Sequence, residues 1–406
     1  MMNKYSASLT VVLLMACSQR STGDRHHFQT YAHEGIQIAE TTGGPKYHEP
    51  LFTYQVLYKI EEDSSRPETI LSGASSCMMD ESGNLYVCDT RNCRIAVFDS
   101  GGNYSKSIGR QGDGPGEFRS PRLTSVREGI LEITDREQGR LSIYDTDGKF
   151  LNSFQFQELS RHQSGIHFSP LDAYLESEST IIINQQIILG DVATHGMIFR
   201  VAVFSLNGEL QTELLSPSQP VSGFGFEGTP IAKYIPGWGV LIAGNDVPIL
   251  RRYDTNGSLE REIMLGIDRD PVTTADRKNV EDGLRTWINK EGDERTRRAA
   301  TRVLESLEFP DLKDLWGDLQ VDDCGFIWAS EPRGTRYDPA SSIKRRIISP
   351  EGEYLGDTYF PEASIPYGAT ISYGHLICNW QDEVTGAPVL MVQQLIPAVS
   401  GFRYPP

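Results

Sequence analysis

The sequence predicts an all-β fold built from one hairpin unit that repeats around a ring. Within residues Gly83–Pro121, apolar side chains such as Leu85, Val87 and Ile95 alternate with less apolar neighbours, which is typical of half-buried strands. The segment Asp99–Asn103 supplies residues that tolerate positive φ in a hairpin turn. The same unit recurs along the chain, and repeats of this length made only of hairpins favour a radial β-architecture.

The first unit resembles the NHL repeat, which forms one blade of a β-propeller. The matching motifs are Gly83, Tyr86–Asp89 (YVCD), Asn92–Asp99 (NCRIAVFD), Gly101–Gly102 and the Gly-rich segment Gly109–Pro121. The chain also resembles the bacterial lipoproteins described as six-bladed β-propeller proteins. That resemblance implies a fold and a location in the cell envelope, and it implies less about activity.

The number of blades follows from the recurring hairpins. Second hairpins are predicted at Ile143–Gly148, Val203–Gly208, Arg252–Gly257 and, more weakly, Ile348–Gly352. Together with the first unit there are six first hairpins but only five complete second ones, so the last blade lacks its outer strand. The apolar stretch Phe52–Ile60 has no other partner. We therefore predict that it supplies this strand and closes a six-bladed propeller over residues 51–406, removing an exposed sheet edge.

One segment departs from the strand pattern. Residues 271–309 place apolar side chains at helical spacing, beginning with Val280, Leu284 and Trp287. Thr273 or Thr274 can cap a first helix and Gly292 can end it. We predict two short helices inserted between the fourth and fifth blades. Their position in a crossover between blades suggests a lid over the central channel, and packing on the outer rim is the alternative.

The N-terminus has the features of an export signal. Ser6–Ala16 is apolar but too short to span a bilayer, and Leu14–Cys17 resembles the lipobox of bacterial lipoproteins. Residues 1–17 are predicted to be a lipoprotein signal peptide with Cys17 as the lipidated residue. The alternatives are an ordinary secretory signal with an incidental cysteine, or a buried apolar strand. Polar residues 18–50 are predicted to be a flexible tether, and Ser18 favours the outer membrane if the cell is Gram-negative.

The formal net charge of −17 restricts the partners. A nucleic-acid partner requires a basic stripe, and adhesion to anionic lipid requires clustered basic residues. We therefore expect a monomer that contacts the membrane only through its lipid and whose partner is a protein or a small molecule.

Five cysteines remain in the predicted propeller: Cys77, Cys88, Cys93, Cys324 and Cys378. If Asp80 lies opposite Leu85 in the first hairpin, Cys77 lies opposite Cys88, and a tight following turn brings Cys88 near Cys93. A cross-strand disulfide or a weak metal site is thus conceivable from spacing alone. The other interpretation is that these cysteines are small apolar residues between blades.

Loops of variable length lie on one face of the predicted propeller. They connect the second and third strands of each blade and share their face with the crossovers between blades. Binding sites usually occupy such loops on a rigid scaffold, although most loop residues are merely solvated. The candidate ligand-binding residues of this variable-loop face are Arg91, Arg119, Arg136, Asp246, Arg333, Arg336, Tyr337, Trp380 and Asp382.

No catalytic motif is present: the sequence contains no G-x-S-x-G, no H-E-x-x-H and no P-loop. Asp89, Asp135 and Asn379 recur at one blade position, which favours a structural turn role because an active site needs only one copy. We predict no catalytic residue, no bound metal and no cofactor, and a non-catalytic ligand- or protein-binding function. The alternative is a lactonase-like hydrolase or lyase with a divalent metal in the central channel.

Overall fold

The structure is a computed structural model that describes residues 25–61, 63, 65–156, 166–189, 196–215, 219–220, 231–244, 246–290, 293–305, 307–331, 344–360, 369–381 and 388–405. The predicted signal peptide and Cys17 lie outside these residues. None of the helices in the described part of the chain combines the length and the apolar character that a membrane span requires.

The described chain begins with two strands that form an antiparallel hairpin, β1 (His27–His33) and β2 (Ile36–Thr42). A third strand, β3 (Phe52–Ile60), follows. The hairpin and β3 join different sheets, because β2 pairs with a strand of the fourth blade and β3 pairs with a strand of the sixth.

The first three blades are antiparallel sheets whose strands lie in chain order from the inner to the outer edge. The first blade contains β4 (Ala74–Met79), β5 (Leu85–Asp89), β6 (Arg94–Phe98) and β7 (Tyr104–Ile108). Two short parallel strands, β8 (Arg110–Gln111) and β9 (Glu117–Phe118), lead to the second blade. The second blade contains β10 (Pro121–Arg127), β11 (Ile130–Asp135), β12 (Arg140–Asp145) and β13 (Phe150–Gln155). The third contains β14 (Ile166–Ser177), β15 (Thr180–Leu189), β16 (Gly196–Ser205), β17 (Leu210–Leu215) and β18 (Gln219–Pro220), which pairs with β16.

The last three blades follow the same plan, and two helices stand between the fourth and the fifth in chain order. The fourth blade contains β19 (Ile231–Ile235), β20 (Gly239–Ala243), β21 (Ile249–Tyr253) and β22 (Leu259–Leu265). The helices are α1 (Thr274–Lys290) and α2 (Glu294–Glu305). The fifth blade contains β23 (Asp318–Val321), β24 (Ile327–Ser330), β25 (Lys344–Ile348) and β26 (Tyr354–Tyr359). The sixth contains β27 (Thr370–Ser372), β28 (His375–Gln381) and β29 (Pro388–Pro397), with β3 as its outer strand.

Strand β3 closes the ring as the sequence predicts. It pairs antiparallel with β29 from Phe52 opposite Pro397 to Ile60 opposite Leu390. Strand β29 therefore has a hydrogen-bonded partner on both sides. The N-terminal and C-terminal parts of the chain thus share one blade, and the ring is held by backbone pairing where a covalent connection is missing.

Among the described residues, the core of the ring consists of six hydrophobic clusters, one between each pair of neighbouring blades. Alternation along each strand produces this arrangement, because successive side chains point to opposite faces of the sheet. In β5, Tyr86 packs toward the second blade, whereas Leu85 and Val87 pack toward the sixth. The six clusters show directly that the blades form a complete ring.

Polar side chains brace five of these six interfaces among the described residues. The pairs, named with the side chain first, are Ser76 with Leu123, Thr134 with Ala173, Asn184 with Tyr234, Gln320 with Ile371, and Ser372 with Met79. In each pair the side chain hydrogen-bonds the backbone of the inner strand of the next blade. The braces fix the spacing of the inner strands, since an inner-strand amide or carbonyl without a partner would be costly.

The predicted tether 18–50 is wrong over the residues that the structure describes. Strand β2 pairs in parallel with β22 and extends the fourth blade to six strands. The chain then crosses to the fifth blade, where the Lys46 and Tyr47 amides donate to carbonyls of β26. Leu51 is fully buried. The polar composition of this segment misleads because a strand added at an outer edge buries only a few side chains, among them Ile38 and Ala39.

The predicted register of the first hairpin is wrong by one residue. Cys77 lies opposite Val87, and Cys88 lies opposite Ser76. The turn is longer than assumed, because the Asp80 carboxylate accepts the amides of Ser82 and Asn84 and holds five residues in it. All five described cysteines are free, and all except Cys324 are buried. Cys77, Cys88, Cys93 and Cys324 pack in or against the hydrophobic clusters between blades.

Candidate functional site

The inner strand of each blade begins, and the second strand of the same blade ends, on the variable-loop face. Two buried carboxylates tie these ends together. Asp89 accepts the Gly73 amide at 3.1 Å, and Asp135 accepts the Arg119 amide at 2.7 Å. Both carboxylates also accept donors from their own loops. The structural turn role predicted for these two residues is therefore confirmed; the side chain of Asn379 lies outside the described residues.

Arginines at the start of the third strand brace the crossovers between blades. Arg94 donates to the Glu68 and Ile70 carbonyls. Arg140 donates to the carbonyls of Asp113 and Glu117. Arg346, two positions further along its strand, donates to the Leu315 carbonyl. Each guanidinium is largely buried. These arginines therefore stabilise the crossovers and do not present charge to a ligand.

Four of the predicted site residues are described, and all four belong to the variable-loop face. Arg91 lies in the 3-10 turn between β5 and β6, and Arg136 lies in the turn between β11 and β12. Asp246 lies exposed between β20 and β21, and Arg119 lies between β9 and β10. The structure thus places these residues on three of the six blades.

The other predicted site residues cannot be located. Arg333, Arg336, Tyr337 and Asp382 lie outside the described residues, as does the side chain of Trp380, whose backbone belongs to β28. Their role remains a prediction.

Among the described arginines of the face, Arg119 is neutralised. Its Nε and Nη2 atoms donate to the two carboxylate oxygens of Asp113 at 2.5 and 2.7 Å. This bidentate pair holds the pKa of the Asp113 carboxyl below its usual value. The pair lies on the Gly-rich crossover, which is kept tight by Gly109 (φ +75°), where a Cβ would overlap the buried ring of Phe118. Arg119 therefore has little remaining capacity to bind a ligand.

Arg91 and Arg136 keep donors available. Arg91 is exposed, and its guanidinium has no polar partner among the described residues. The Arg136 Nε atom donates to the Leu171 carbonyl at 2.9 Å, which leaves both terminal nitrogens without a partner in the described part of the chain. Both arginines are therefore able to contact a ligand that approaches this face.

Two residues that the sequence analysis did not select complete this region. Arg122, the second residue of β10, forms an ion pair with Asp172 of β14 at 2.5 Å between Nε and Oδ1. The Arg122 side chain is 41% exposed and that of Asp172 is 12% exposed. Both lie in the inner strand of their blade, Arg122 near the start of β10 and Asp172 in the middle of β14. Pro121 marks the start of β10, and this was the available signal that Arg122 lies at the variable-loop end of that strand.

Acidic or thiol ligands for a metal are not gathered in the described residues. No group of three or more His, Cys, Asp or Glu side chains there could hold a metal ion. That the chain uses no cofactor stays a prediction.

Comparisons with known proteins agree with this architecture. Residues 68–172 match the model of the family DUF5128, described as a 6-bladed beta-propeller. These residues contain the first two blades and the start of the third. No curated protein matches the sequence.

Solved structures resemble the chain over most of its length. A member of the DUF4221 family from Bacteroides vulgatus is 12% identical, with a TM-score of 0.52, and the match covers 86% of this chain and 99% of that one. A Bacteroides fragilis protein described as exported is 10% identical, with a TM-score of 0.48 and coverages of 85% and 95%. Virginiamycin B lyase from Staphylococcus aureus is 10% identical, with a TM-score of 0.40 and coverages of 85% and 100%. The strand pairing, the interblade clusters, the match to the family model and the likeness to the DUF4221 structure identify the fold as a six-bladed β-propeller.

Proposed function

We propose that this chain is a lipid-anchored, extracytoplasmic β-propeller that binds a ligand or a protein through its variable-loop face without transforming it. The observation that carries the proposal is the grouping of Arg91, Arg122 and Arg136 on this face. Of these three arginines, Arg122 is paired with the Asp172 carboxylate and Arg136 with a backbone carbonyl. Guanidinium donors without a partner among the described residues contrast with the net charge of −17 of the whole chain, and they would attract a ligand of opposite charge.

The two helices extend the same face in this proposal, as an insertion between the fourth and fifth blades. The segment leaves the fourth blade where the Leu265 amide donates to Pro248 in a variable loop. A short antiparallel stem follows, in which the Val272 amide donates to Asp311 and the Lys313 amide to Asp270. The helices pack on a small cluster of their own around Val280 and Leu284. Whether they cover the channel remains a prediction, because the loops proposed to meet Trp287 lie outside the described residues.

The proposed lipid anchor fixes which face is presented. His26 lies against Glu353, in a turn on the face opposite the variable loops. Only residues 18–24 separate Cys17 from the described chain, and an extended segment of this length reaches at most about 25–30 Å. A lipidated Cys17 would therefore hold the propeller near the membrane with the variable-loop face directed away from the bilayer.

The anchor is tested by Cys17→Ser. We expect this variant to lose partitioning into the detergent phase, because the thiol carries the only membrane attachment that we propose. Detergent-phase partitioning of the wild-type and variant proteins measures the effect. Persistent partitioning of the variant would reject the lipoprotein assignment.

The binding function is tested by a thermal-shift panel of envelope glycans, peptides and small metabolites on the purified chain. A compound bound at the variable-loop face should lose its stabilising effect in Arg91→Glu. The matched control is Lys149→Glu, which makes the same charge change at an exposed turn on the opposite face. Mass spectrometry of each bound compound then separates binding from catalysis. Recovery of a cleaved or rearranged compound would replace the proposed function by the metal-dependent hydrolase or lyase.

A further inference from the structure

Two arginines of the second blade are anchored on consecutive residues of the third. The Arg136 Nε atom donates to the Leu171 carbonyl at 2.9 Å, and the Arg122 Nε atom donates to the Asp172 carboxylate at 2.5 Å. Each guanidinium uses only its Nε in these contacts. The terminal nitrogens of both have no partner among the described residues, so four nitrogens with their hydrogens remain available beside the channel.

The charges of this pair are not balanced. Asp172 supplies one carboxylate for two guanidinium groups. Burial and, after it, the positive charge of Arg122 lower the pKa of Arg136, whereas the Asp172 carboxylate opposes this shift. A negatively charged ligand bound to both arginines would act in the same direction as Asp172.

The neighbouring backbone holds the two arginines in place. Thr134 Oγ1 accepts the Ala173 amide at 2.9 Å and donates to the Ala173 carbonyl at 3.3 Å. This brace lies two residues from Arg136 and one residue from Asp172. It locks the second blade to the third at the point where both guanidinium groups are anchored. Binding of a ligand therefore costs little further conformational entropy.

We propose that Arg122 and Arg136 form a site for an oxyanionic group, a carboxylate, sulfate or phosphate, carried by the ligand of the variable-loop face. The inference rests on the proposed function and names the ligand class. Arginine suits this role because its planar donors match the oxygen pairs of such groups. Asp172 orients Arg122, and the positive charge of the two guanidinium groups would disfavour a cationic group at the same position.

Titration calorimetry with inorganic phosphate, sulfate and glucuronate, at constant ionic strength, tests the site. The three anions distinguish a tetrahedral oxyanion from a carboxylate. We expect Arg122→Gln and Arg136→Gln each to weaken binding of the preferred anion by about tenfold or more. Arg110→Gln is the matched control, because Arg110 is an exposed arginine already paired with Glu117 and should leave the affinity unchanged.

The outcomes separate this inference from the proposed function. Equal affinities in wild type, both site variants and the control would show that the anion binds elsewhere and would overturn the site. Absence of binding by all three anions would overturn it as well. A neutral compound that still binds wild type but not Arg91→Glu in the thermal-shift panel would leave the proposed function standing. Failure of both experiments would overturn both the oxyanion site and the proposed binding function.

Discussion

Phe52→Ala is expected to lower the free energy of unfolding by about 3–5 kcal/mol, the range for truncating a buried aromatic side chain. Phe52 is 3% exposed. Its ring stacks on Trp328 of the fifth blade at 5.1 Å between centroids and meets the edges of Phe402 and Tyr404 at 5.2 and 5.0 Å. The side chain therefore joins the closing strand, the fifth blade and the C-terminal segment. Its loss weakens the interface that completes the ring.

Leu57→Ala is the matched control, because Leu57 lies on the same strand but is 45% exposed. We expect a change within about 0.5 kcal/mol, as for surface substitutions generally. Urea unfolding followed by tryptophan fluorescence measures both variants. Equal losses would contradict the view that β3 stabilises the ring by inserting Phe52 between blades.

The closure was predictable because β3 is a single apolar stretch and the hairpin count leaves one position empty. The β1–β2 hairpin was not predictable, because β2 pairs with a strand that is distant in sequence. This pairing joins Gln37–Thr41 to Arg261–Leu265. Its residues are mostly exposed, so their polarity resembles that of a linker. Hydrophobic alternation reports burial, and an edge strand that buries little gives a weak signal.

The candidate site was predictable only in part, for a related reason. Arg91 and Arg136 lie in loops, where sequence reasoning looks for ligands. Arg122 and Asp172 lie within strands and come together only across the interface between two blades. A strand residue at the mouth of the channel is indistinguishable in sequence from one in the middle of a sheet until the register is known.

Buried Glu132 is expected to make the protein less stable as the pH rises from about 5 to 8. Burial raises the pKa of this carboxyl from 4.5 to about 7. One oxygen accepts the Leu175 amide at 3.2 Å, and the other has no partner among the described residues. The positive charge of Arg127, whose Nη2 lies 3.7 Å from Glu132 Oε1, lowers this pKa only in part. The negative charge of Glu176 raises it further.

The sign of this pH dependence follows from proton binding. Between pH 4.5 and 7 the folded state holds a proton on Glu132 that the unfolded state has released, so the free energy of unfolding falls with rising pH. Each pKa unit corresponds to about 1.4 kcal/mol, so the full loss is about 3 kcal/mol and is complete above pH 7.

Glu132→Gln keeps the shape of the neutral carboxyl and should remove this slope, making the variant more stable than wild type at pH 8 and similar to it near pH 5. Exposed Glu128→Gln should retain the wild-type slope. Parallel stability–pH curves for wild type and Glu132→Gln would mean that Glu132 is ionised in the folded protein, which its burial against Leu175 with one unpaired oxygen disfavours.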